Sequence, residues 1–313
     1  MMIRQMALSW KLIVPMLMVS VIVASSSVVA NAADISMPNS VHHAAQMLSV
    51  PGGSIAFDDT GGGGPLIICV PGLGDVREQY RFLTPLLIRA RFRVVTMDLR
   101  GMGDSSVNWP DYSPVAVGGD IVAMVRHLGA QRAFVAGNSY AGGAAVWAAT
   151  EIPDQIAGII LIDPFVREHH ISIFTRLELN FALHRPWGPA IWASYYRSLY
   201  KMDPPADLDD YIAALKANLK QKGRFEALKA MAWSPQTACE ARIAQLKTPT
   251  LVIMGEADPD FVVPAAEADW LGTNLHAQVL MVPNVGHYPH VEKPGVVAQA
   301  IIAFAKEHSS GAH

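Results

Sequence analysis

Three polar side chains in this sequence are of the types that nucleophilic acyl transfer requires. Ser139 lies in the segment Gly137–Ala141, with a small residue two places before it and another two places after it. Asp258 and His287 lie further along the chain, 29 positions apart. A hydroxyl, an imidazole and a carboxylate can act together as nucleophile, general base and orienting acid. The sequence therefore predicts chemistry through a covalent serine intermediate.

Ser139 is expected at a tight corner between a strand and a helix. An apolar run ends at Ala136, and the helical pattern Tyr140–Thr150 begins directly after the serine. Such a turn needs small residues on both sides of the nucleophile, so that the strand and the helix can approach each other. Gly137 and Ala141 meet that need. The alternative is an ordinary loop in which Ser139 caps the helix.

The acid that would orient the histidine has three candidates. Asp258 follows the predicted strand Thr248–Met254, Asp260 lies two residues further on, and Asp163 ends the preceding strand. The interval between Asp258 and His287 leaves room for one helix and one strand. Each of the three aspartates could instead brace a loop or cap a helix.

The general base also has an alternative. The chain contains 11 histidines, and His287 follows a glycine in a loop near the carboxyl end. His290 lies three residues further on and is the other candidate. If His290 is not the base, we expect it at the surface or at the edge of a pocket.

The elements that must position these residues alternate along the chain. Apolar runs separated by helical patterns indicate βαβ units and a mostly parallel sheet flanked by helices. The predicted strands are Ser54–Asp58, Pro65–Val70, Phe92–Met97, Arg132–Ala136, Ile156–Ile162, Thr248–Met254 and Gln278–Val282. The predicted helices include Gln79–Arg91, Val115–Leu128, Tyr140–Thr150, Leu208–Lys220 and Pro294–Glu307.

The alternation of strands and helices stops between residues 165 and 245. This stretch is rich in aromatic residues on helical patterns and contains no clear strand. It predicts a helical lid, or cap, inserted after the strand Ile156–Ile162 (the sixth strand of an eight-stranded type of sheet), with a core formed by residues 34–164 and 246–313. The alternative is that its aromatic residues only pack a small core of their own. They are Phe174, Phe181, Trp187, Trp192, Tyr195, Tyr196, Tyr200, Phe225 and Trp233.

The first 33 residues have the features of a secretory signal peptide. Arg4 and Lys11 precede the apolar run Leu12–Ala24, and the small residues Ala30 and Ala32 follow it. This order predicts cleavage and export to the periplasm or the exterior, with no stable membrane span in the mature protein. The alternative is an uncleaved segment that anchors the protein in a membrane.

Composition argues against several other classes of protein. The chain has 24 Lys and Arg against 27 Asp and Glu with no basic stripe, so a nucleic-acid partner is not expected. Neither CxxC nor HExxH occurs, and we expect neither a metal nor a cofactor. Cys69 is expected as a buried apolar residue, and a disulfide with Cys239 is the less favoured alternative. The oligomeric state is left open.

Several motifs, in this order, resemble the α/β-hydrolase superfamily across most of the mature sequence. They are the loop Val70–Gly74, the segment Asp98–Ser105, the serine turn Gly137–Ala141, the segment Gly255–Asp258 and the pair Gly286–His287. The resemblance implies an α/β-hydrolase fold with an eight-stranded type of sheet. The family often has His-Gly where this chain has Pro71-Gly72, and Gly where it has Ala141.

The resemblance also implies roles for individual residues. Ser139 corresponds to the nucleophile, His287 to the general base and Asp258 to the acid. The backbone N–H groups of Leu73 and Tyr140 correspond to the oxyanion hole, which stabilises charge on the attacked carbonyl oxygen. Asp98 and Arg100 correspond to structural residues.

A serine nucleophile argues against the dehalogenase and epoxide-hydrolase chemistries of this superfamily, which use aspartate at the same corner. We therefore expect hydrolysis of a small-molecule carboxylic ester through an acyl-enzyme intermediate. A carbon–carbon bond hydrolase, a lactonase and a perhydrolase or haloperoxidase-like enzyme remain alternatives on the same triad. A remote alternative from another class is a non-catalytic receptor that only binds its ligand.

Overall fold

The computed structural model describes residues 45–168, 173–202 and 204–309. The predicted leader, residues 1–33, lies outside these ranges. Eight strands form one sheet in the order β1-β2-β4-β3-β5-β6-β7-β8. The strands are β1 (Gln46–Val50), β2 (Gly53–Asp59), β3 (Leu66–Val70), β4 (Arg93–Met97), β5 (Ala133–Asn138), β6 (Ile156–Ile162), β7 (Thr250–Gly255) and β8 (Gln278–Val282).

The sheet is mostly parallel because helices connect its strands from β3 onward. Strands β1 and β2 pair antiparallel, as do β2 and β4, whereas all other neighbours are parallel. Every residue of β3, β5, β6 and β7 is buried. Continuous apolar runs of this kind are expected where helices cover both faces of a sheet.

Helices lie on both faces of the sheet and in one long insertion. The core contains α1 (Thr84–Arg89), α2 (Pro114–His127), α3 (Ala141–Glu151), α9 (Pro264–Leu275), α10 (Pro289–Glu292) and α11 (Pro294–Ser309). The insertion contains α4 (Ile173–Ala182), α5 (Gly188–Ser198), α6 (Leu208–Lys220), α7 (Arg224–Ala232) and α8 (Thr237–Glu240). No described helix is both long enough and apolar enough to span a bilayer.

The predicted fold class is confirmed, with two differences in its elements. Strand β1 was not among the predicted strands. It is a short edge strand in which one residue of five, Leu48, is buried. The predicted helix Gln79–Arg91 is instead a 3₁₀ turn, Arg77–Tyr80, followed by the shorter α1. Pro85 lies in the first turn of α1, where its missing N–H costs no hydrogen bond, and this favours the start of a new helix at that point.

The insertion between β6 and β7 consists of helices α4–α8 and contains no strand among its described residues. Helix α6 has the predicted limits, Leu208–Lys220. The large aromatic side chains Tyr196 and Phe225 are fully buried, and both belong to the main hydrophobic core cluster. The insertion therefore shares its packing with the core of the sheet.

Both cysteines are buried and free, so the disulfide alternative is wrong. Cys69 lies in the central strand β3 among apolar side chains, as expected. Burial raises the pKa of the Cys239 thiol to about 12, which keeps it protonated at neutral pH.

Candidate active site

The corner at the end of β5 holds Ser139 in a backbone conformation that L-residues rarely adopt. Its φ is +53°. Its backbone N–H donates to the Ile162 carbonyl at 2.9 Å, and its own carbonyl accepts from Gly142 at 2.9 Å. A Cβ at Gly137 would lie 2.6 Å from the carbonyl oxygen of Ala141, closer than real contacts allow. Gly137 is therefore required by the close approach of strand and helix, as the sequence predicted.

The loop after β3 lies directly against this corner. A Cβ on Gly72 would come within 2.8 Å of Asn138 Oδ1 and 3.1 Å of the Ser139 Cβ, so only glycine fits. In the described part of the chain, the backbone N–H groups of Leu73 and Tyr140 donate to no protein acceptor. Two unused donors beside a serine are what an oxyanion hole requires.

His287 and Asp258 are in direct contact. His287 Nδ1 lies 2.7 Å from Asp258 Oδ2, and both side chains are buried. The histidine loop is fixed from the insertion, because the His287 backbone N–H donates to the Leu199 carbonyl at 3.0 Å. This arrangement leaves Nε2 of His287 as the ring nitrogen available for proton exchange.

Ser139 reaches the histidine loop through its neighbours in sequence. Asn138 Nδ2 donates to the His287 carbonyl at 3.4 Å. Phe165, whose N–H donates to the Ser139 carbonyl, has its ring 6.2 Å from the imidazole. Among the described residues, no hydrogen bond joins Ser139 Oγ to the imidazole. Contacts of a general base often tighten only when substrate binds.

The surroundings of His287 favour its protonated form. Burial lowers its pKa, but the charges of Asp258 and Asp260 and the hydrogen bond to Asp258 outweigh that effect. The pKa of His287 is consequently raised above its ordinary value. A base with a raised pKa holds a transferred proton more firmly.

Asp163, the candidate acid at the end of β6, lies beside the same pair. Its Oδ1 accepts the backbone N–H of Gly255 at 2.9 Å. Ligand atoms of Asp163, Asp258 and His287 lie within 4.8 Å of one another. Because His287 Nδ1 is already bonded to Asp258, we assign this group to proton chemistry and not to a metal. Burial and the Asp258 charge raise the pKa of Asp163 well above its usual range, which favours its neutral form.

Asp260, the third candidate acid, lies on the opposite side of the imidazole. Its Oδ2 is 3.8 Å from His287 Nε2, beyond hydrogen-bonding distance. The Tyr195 hydroxyl on α5 contacts both carboxylate oxygens, at 2.8 and 2.7 Å. Asp260 is therefore near the reacting nitrogen, whereas Asp258 holds the other one.

His290 is not at the surface. It is fully buried, and its ring stacks 4.9 Å from that of Tyr80. Neither ring nitrogen has a hydrogen-bond partner among the described residues. Burial lowers its pKa to about 3, so it is neutral. Of the two expected positions, the surface is wrong, because helix α10 turns this residue into the core.

A buried polar network joins the insertion to the loop after β3 (Val70–Gly74), which we call the oxyanion loop. Asp75, which follows that loop, accepts the hydroxyl of Tyr196 at 2.7 Å and that of Tyr211 at 2.5 Å. Gln79 donates to Asp75 at 2.6 Å and to Asn138 at 3.1 Å. Burial raises the pKa of Asp75, against the hydrogen bonds that lower it.

Sequence reasoning missed this network. Asp75 follows a glycine-rich loop, which was the one local signal for it. Its tyrosine partners lie 121 and 136 positions away, so no local pattern relates them to it. Asp98, in contrast, has the expected structural role: it pairs with Arg77 at 2.5 Å and accepts the Asp104 N–H.

Residues 67–300 match the sequence pattern of the family described as "Alpha/beta hydrolase family". The match covers well over half of the chain and includes every residue of the site described above.

Proteins of known function with similar sequences differ in activity. The chain is 25% identical over 277 residues to the dihydrolipoyllysine-residue acetyltransferase component of the acetoin cleaving system of Pseudomonas putida, covering 85% of this chain and 70% of that protein. It is 26% identical over 256 residues to the 2-(acetamidomethylene)succinate hydrolase of Mesorhizobium japonicum, covering 78% and 88%. Among solved structures, a thermophilic esterase from Thermogutta terrifontis superposes with a TM-score of 0.68 at 24% identity, covering 84% of this chain and 99% of that one.

Proposed function

Since the chain belongs to the alpha/beta hydrolase family, we propose that it is a serine hydrolase that cleaves carboxylic esters through an acyl-enzyme intermediate. The observation that carries the proposal is the strained corner at Ser139, with φ +53°, beside the His287–Asp258 pair. Strain of this kind is retained where the surrounding structure fixes a residue for a function.

The first half of the reaction forms the acyl-enzyme. His287 Nε2 takes the proton of the Ser139 hydroxyl while Oγ attacks the ester carbonyl carbon. Asp258 holds Nδ1 and stabilises the imidazolium that forms. The tetrahedral oxyanion accepts hydrogen bonds from the N–H groups of Leu73 and Tyr140. The carbon–oxygen bond to the alcohol then breaks, and the leaving oxygen takes the proton from Nε2.

The second half repeats these steps with water. Nε2 takes a proton from the water as its oxygen attacks the acyl carbon. Collapse of the second tetrahedral intermediate breaks the bond to Ser139 Oγ, which recovers its proton from Nε2. The products are a carboxylic acid and an alcohol, and the residues return to their initial protonation states.

An ester is the acyl substrate that we propose, because an alcohol oxygen leaves more readily than an amide nitrogen. The one proton that the leaving oxygen needs comes from Nε2. We further propose that the protein is exported, on the basis of the leader at residues 1–33. Export gives the enzyme access to small esters outside the cytoplasm.

Turnover of a substrate panel tests the function. The full chain is assayed with p-nitrophenyl esters of two, four and eight carbons, with lactones and with aminoacyl amides. Ester hydrolysis is the expected result. Preferential turnover of lactones, amides or a ring-cleavage diketone acid would assign a different reaction to the same serine.

Reaction at Ser139 is tested separately with a fluorophosphonate probe. Ser139→Ala should lose activity by about four powers of ten or more and should no longer be labelled. Ser194→Ala, which changes an exposed serine on helix α5, is the matched control and should keep both properties. Labelling that survives in Ser139→Ala would show that another residue is the nucleophile.

A further inference from the structure

Asp260 is a buried carboxylate that the ester reaction described above does not use. Its side chain is 2% exposed. The Tyr195 hydroxyl is its one side-chain hydrogen-bond donor among the described residues, although an ionised carboxylate has about four acceptor positions. Buried charges are normally paired with an opposite charge. Asp260 therefore lacks part of the compensation that a buried carboxylate needs.

The nearest positive charge to Asp260 exists only part of the time. His287 Nε2, at 3.8 Å, is its one cationic partner within ion-pair distance in the described part of the chain. His287 must be neutral to accept the serine proton. Within the described part of the chain, Asp260 consequently has no counter-ion in the form of the enzyme that is ready to react.

No arginine or lysine among the described residues takes the place of that counter-ion. Arg77 is the one described residue of either type that is buried, and it pairs with Asp58, Asp98 and Asp104. Asp258 and Asp75 also act on the charge of His287, and both are acidic. Arg81 acts on the neighbouring His290, but its guanidinium pairs with Asp207. The described side chains around His287 are therefore predominantly acidic, which favours a cation over an anionic substrate.

A second aromatic ring lies beside the tyrosine that contacts Asp260. Trp192 is buried, its Nε1 has no hydrogen-bond partner among the described residues, and its ring is 5.2 Å from that of Tyr195. The indole edge that carries Nε1 also packs against Gly74, at the end of the oxyanion loop. If Gly74 carried a Cβ, that atom would lie 2.7 Å from Trp192 Cε2. Aromatic rings next to a carboxylate are the surroundings in which organic cations bind.

We propose that Asp260, with Tyr195 and Trp192, forms a binding site for a cationic group on the alcohol side of the ester. The inference rests on the proposed ester hydrolysis and names its substrate class. Nε2 passes its proton to the leaving alcohol, so a carboxylate 3.8 Å from Nε2 is within reach of the first atoms of that alcohol. An ammonium group there supplies the counter-ion that Asp260 lacks.

Two isosteric acetate esters test the proposal. Acetylcholine carries a quaternary ammonium, and 3,3-dimethylbutyl acetate has the same shape without the charge. The wild type should have a kcat/KM for acetylcholine at least about tenfold above that for the neutral ester. This ratio corresponds to about 1.4 kcal/mol of transition-state binding. Asp260→Asn keeps the shape and loses the charge, so the two values should become similar. Asp210→Asn, which removes an exposed acid from helix α6, is the matched control and should keep the preference.

The preference should also depend on pH. Burial raises the pKa of Asp260 to about 7, against the opposing effect of His287, while Asp258 raises it further and Tyr195 lowers it. The carboxylate is charged above that pKa, so the preference should be present at pH 8 and lost as the pH falls to 6. In Asp260→Asn the ratio should not change across this range.

Further variants separate charge from structure. Tyr195→Phe leaves the carboxylate but removes the hydrogen bonds that lower the pKa of Asp260, so the cation preference should appear only at higher pH than in the wild type, whereas Asp260→Asn should lack it at every pH. Equal kcat/KM for the two esters in the wild type, or a preference unchanged in Asp260→Asn, would overturn this inference while leaving ester hydrolysis intact. Failure of both esters together with no labelling of Ser139 would instead overturn the proposed function.

Discussion

The sheet core and the helical insertion contribute to the site in different ways. The core supplies Ser139, Asp258 and His287 from the carboxyl ends of strands or the loops that follow them. The insertion contributes buried tyrosine hydroxyls that contact carboxylates of the core. The core positions groups proposed to react, whereas the insertion compensates and fixes the charges around them.

The helices of the insertion differ in the side chains that they bury and expose. Helix α4 exposes several large apolar side chains, whereas α5 and α6 bury their tyrosines against the core. Those exposed on α4 are Ile173, Phe174, Leu177 and Phe181. The exposed apolar helix α4 therefore differs from α5 and α6, which hold the charges of the site. The comparison predicts large effects at the core residues, intermediate effects at the buried tyrosines and small effects on the insertion surface.

The largest effect is expected at the acid in contact with His287. Asp258→Asn removes the charge that fixes the histidine tautomer and should lower turnover by about 10⁴. Asp163→Asn should have a much smaller effect, because the surroundings of Asp163 favour its neutral form and the amide oxygen can still accept the Gly255 N–H. The measurement is kcat for a short p-nitrophenyl ester at neutral pH. A larger loss in Asp163→Asn than in Asp258→Asn would assign the acid to the end of β6.

The sequence predicted the core groups because each of them follows from local features. A buried apolar run, a small residue on each side of Ser139 and a Gly-His loop are all readable within a few positions. Parallel strands then bring their carboxyl ends to one edge of the sheet. No contact between distant residues had to be known for that prediction.

The contacts of the insertion could not be predicted in the same way. Tyr195 reaches Asp260 across 65 positions, and the path of the loop after Asp258 decides which side of the imidazole Asp260 occupies. Asp258 and Asp260 are chemically identical and two residues apart, so composition does not distinguish them. His290 is a similar case, since the turn of the short helix α10 decides its burial.

An intermediate effect is expected when the insertion loses its hold on the oxyanion loop. The double variant Tyr196→Phe, Tyr211→Phe removes two donors from Asp75 and leaves the ring packing in place. We expect kcat to fall about tenfold with little change in KM, less than the 10²–10³ lost with a whole oxyanion donor. Steady-state kinetics on a neutral ester measure this split.

Tyr200→Phe is the matched control for these two tyrosines. Its hydroxyl lies 3.4 Å from that of Tyr196 and has no hydrogen bond to Asp75. This variant should keep kcat within about twofold of the wild type. An equal loss in the control and the double variant would indicate general damage to the insertion and not a specific role for Asp75.

The smallest effect is expected at the surface of the insertion. Arg185 and Glu226 form an ion pair at 2.9 Å, with side chains 40% and 59% exposed. Exposed pairs of this kind typically contribute less than about 1 kcal/mol to the free energy of unfolding, because water screens the charges and both side chains lose rotational freedom. Glu226→Gln should therefore lower the melting temperature by a few degrees at most. It should leave kcat/KM unchanged for both the cationic and the neutral ester. Thermal denaturation and the two-ester assay measure these properties, and a clear change in kcat/KM would show that the surface of the insertion also acts on the site.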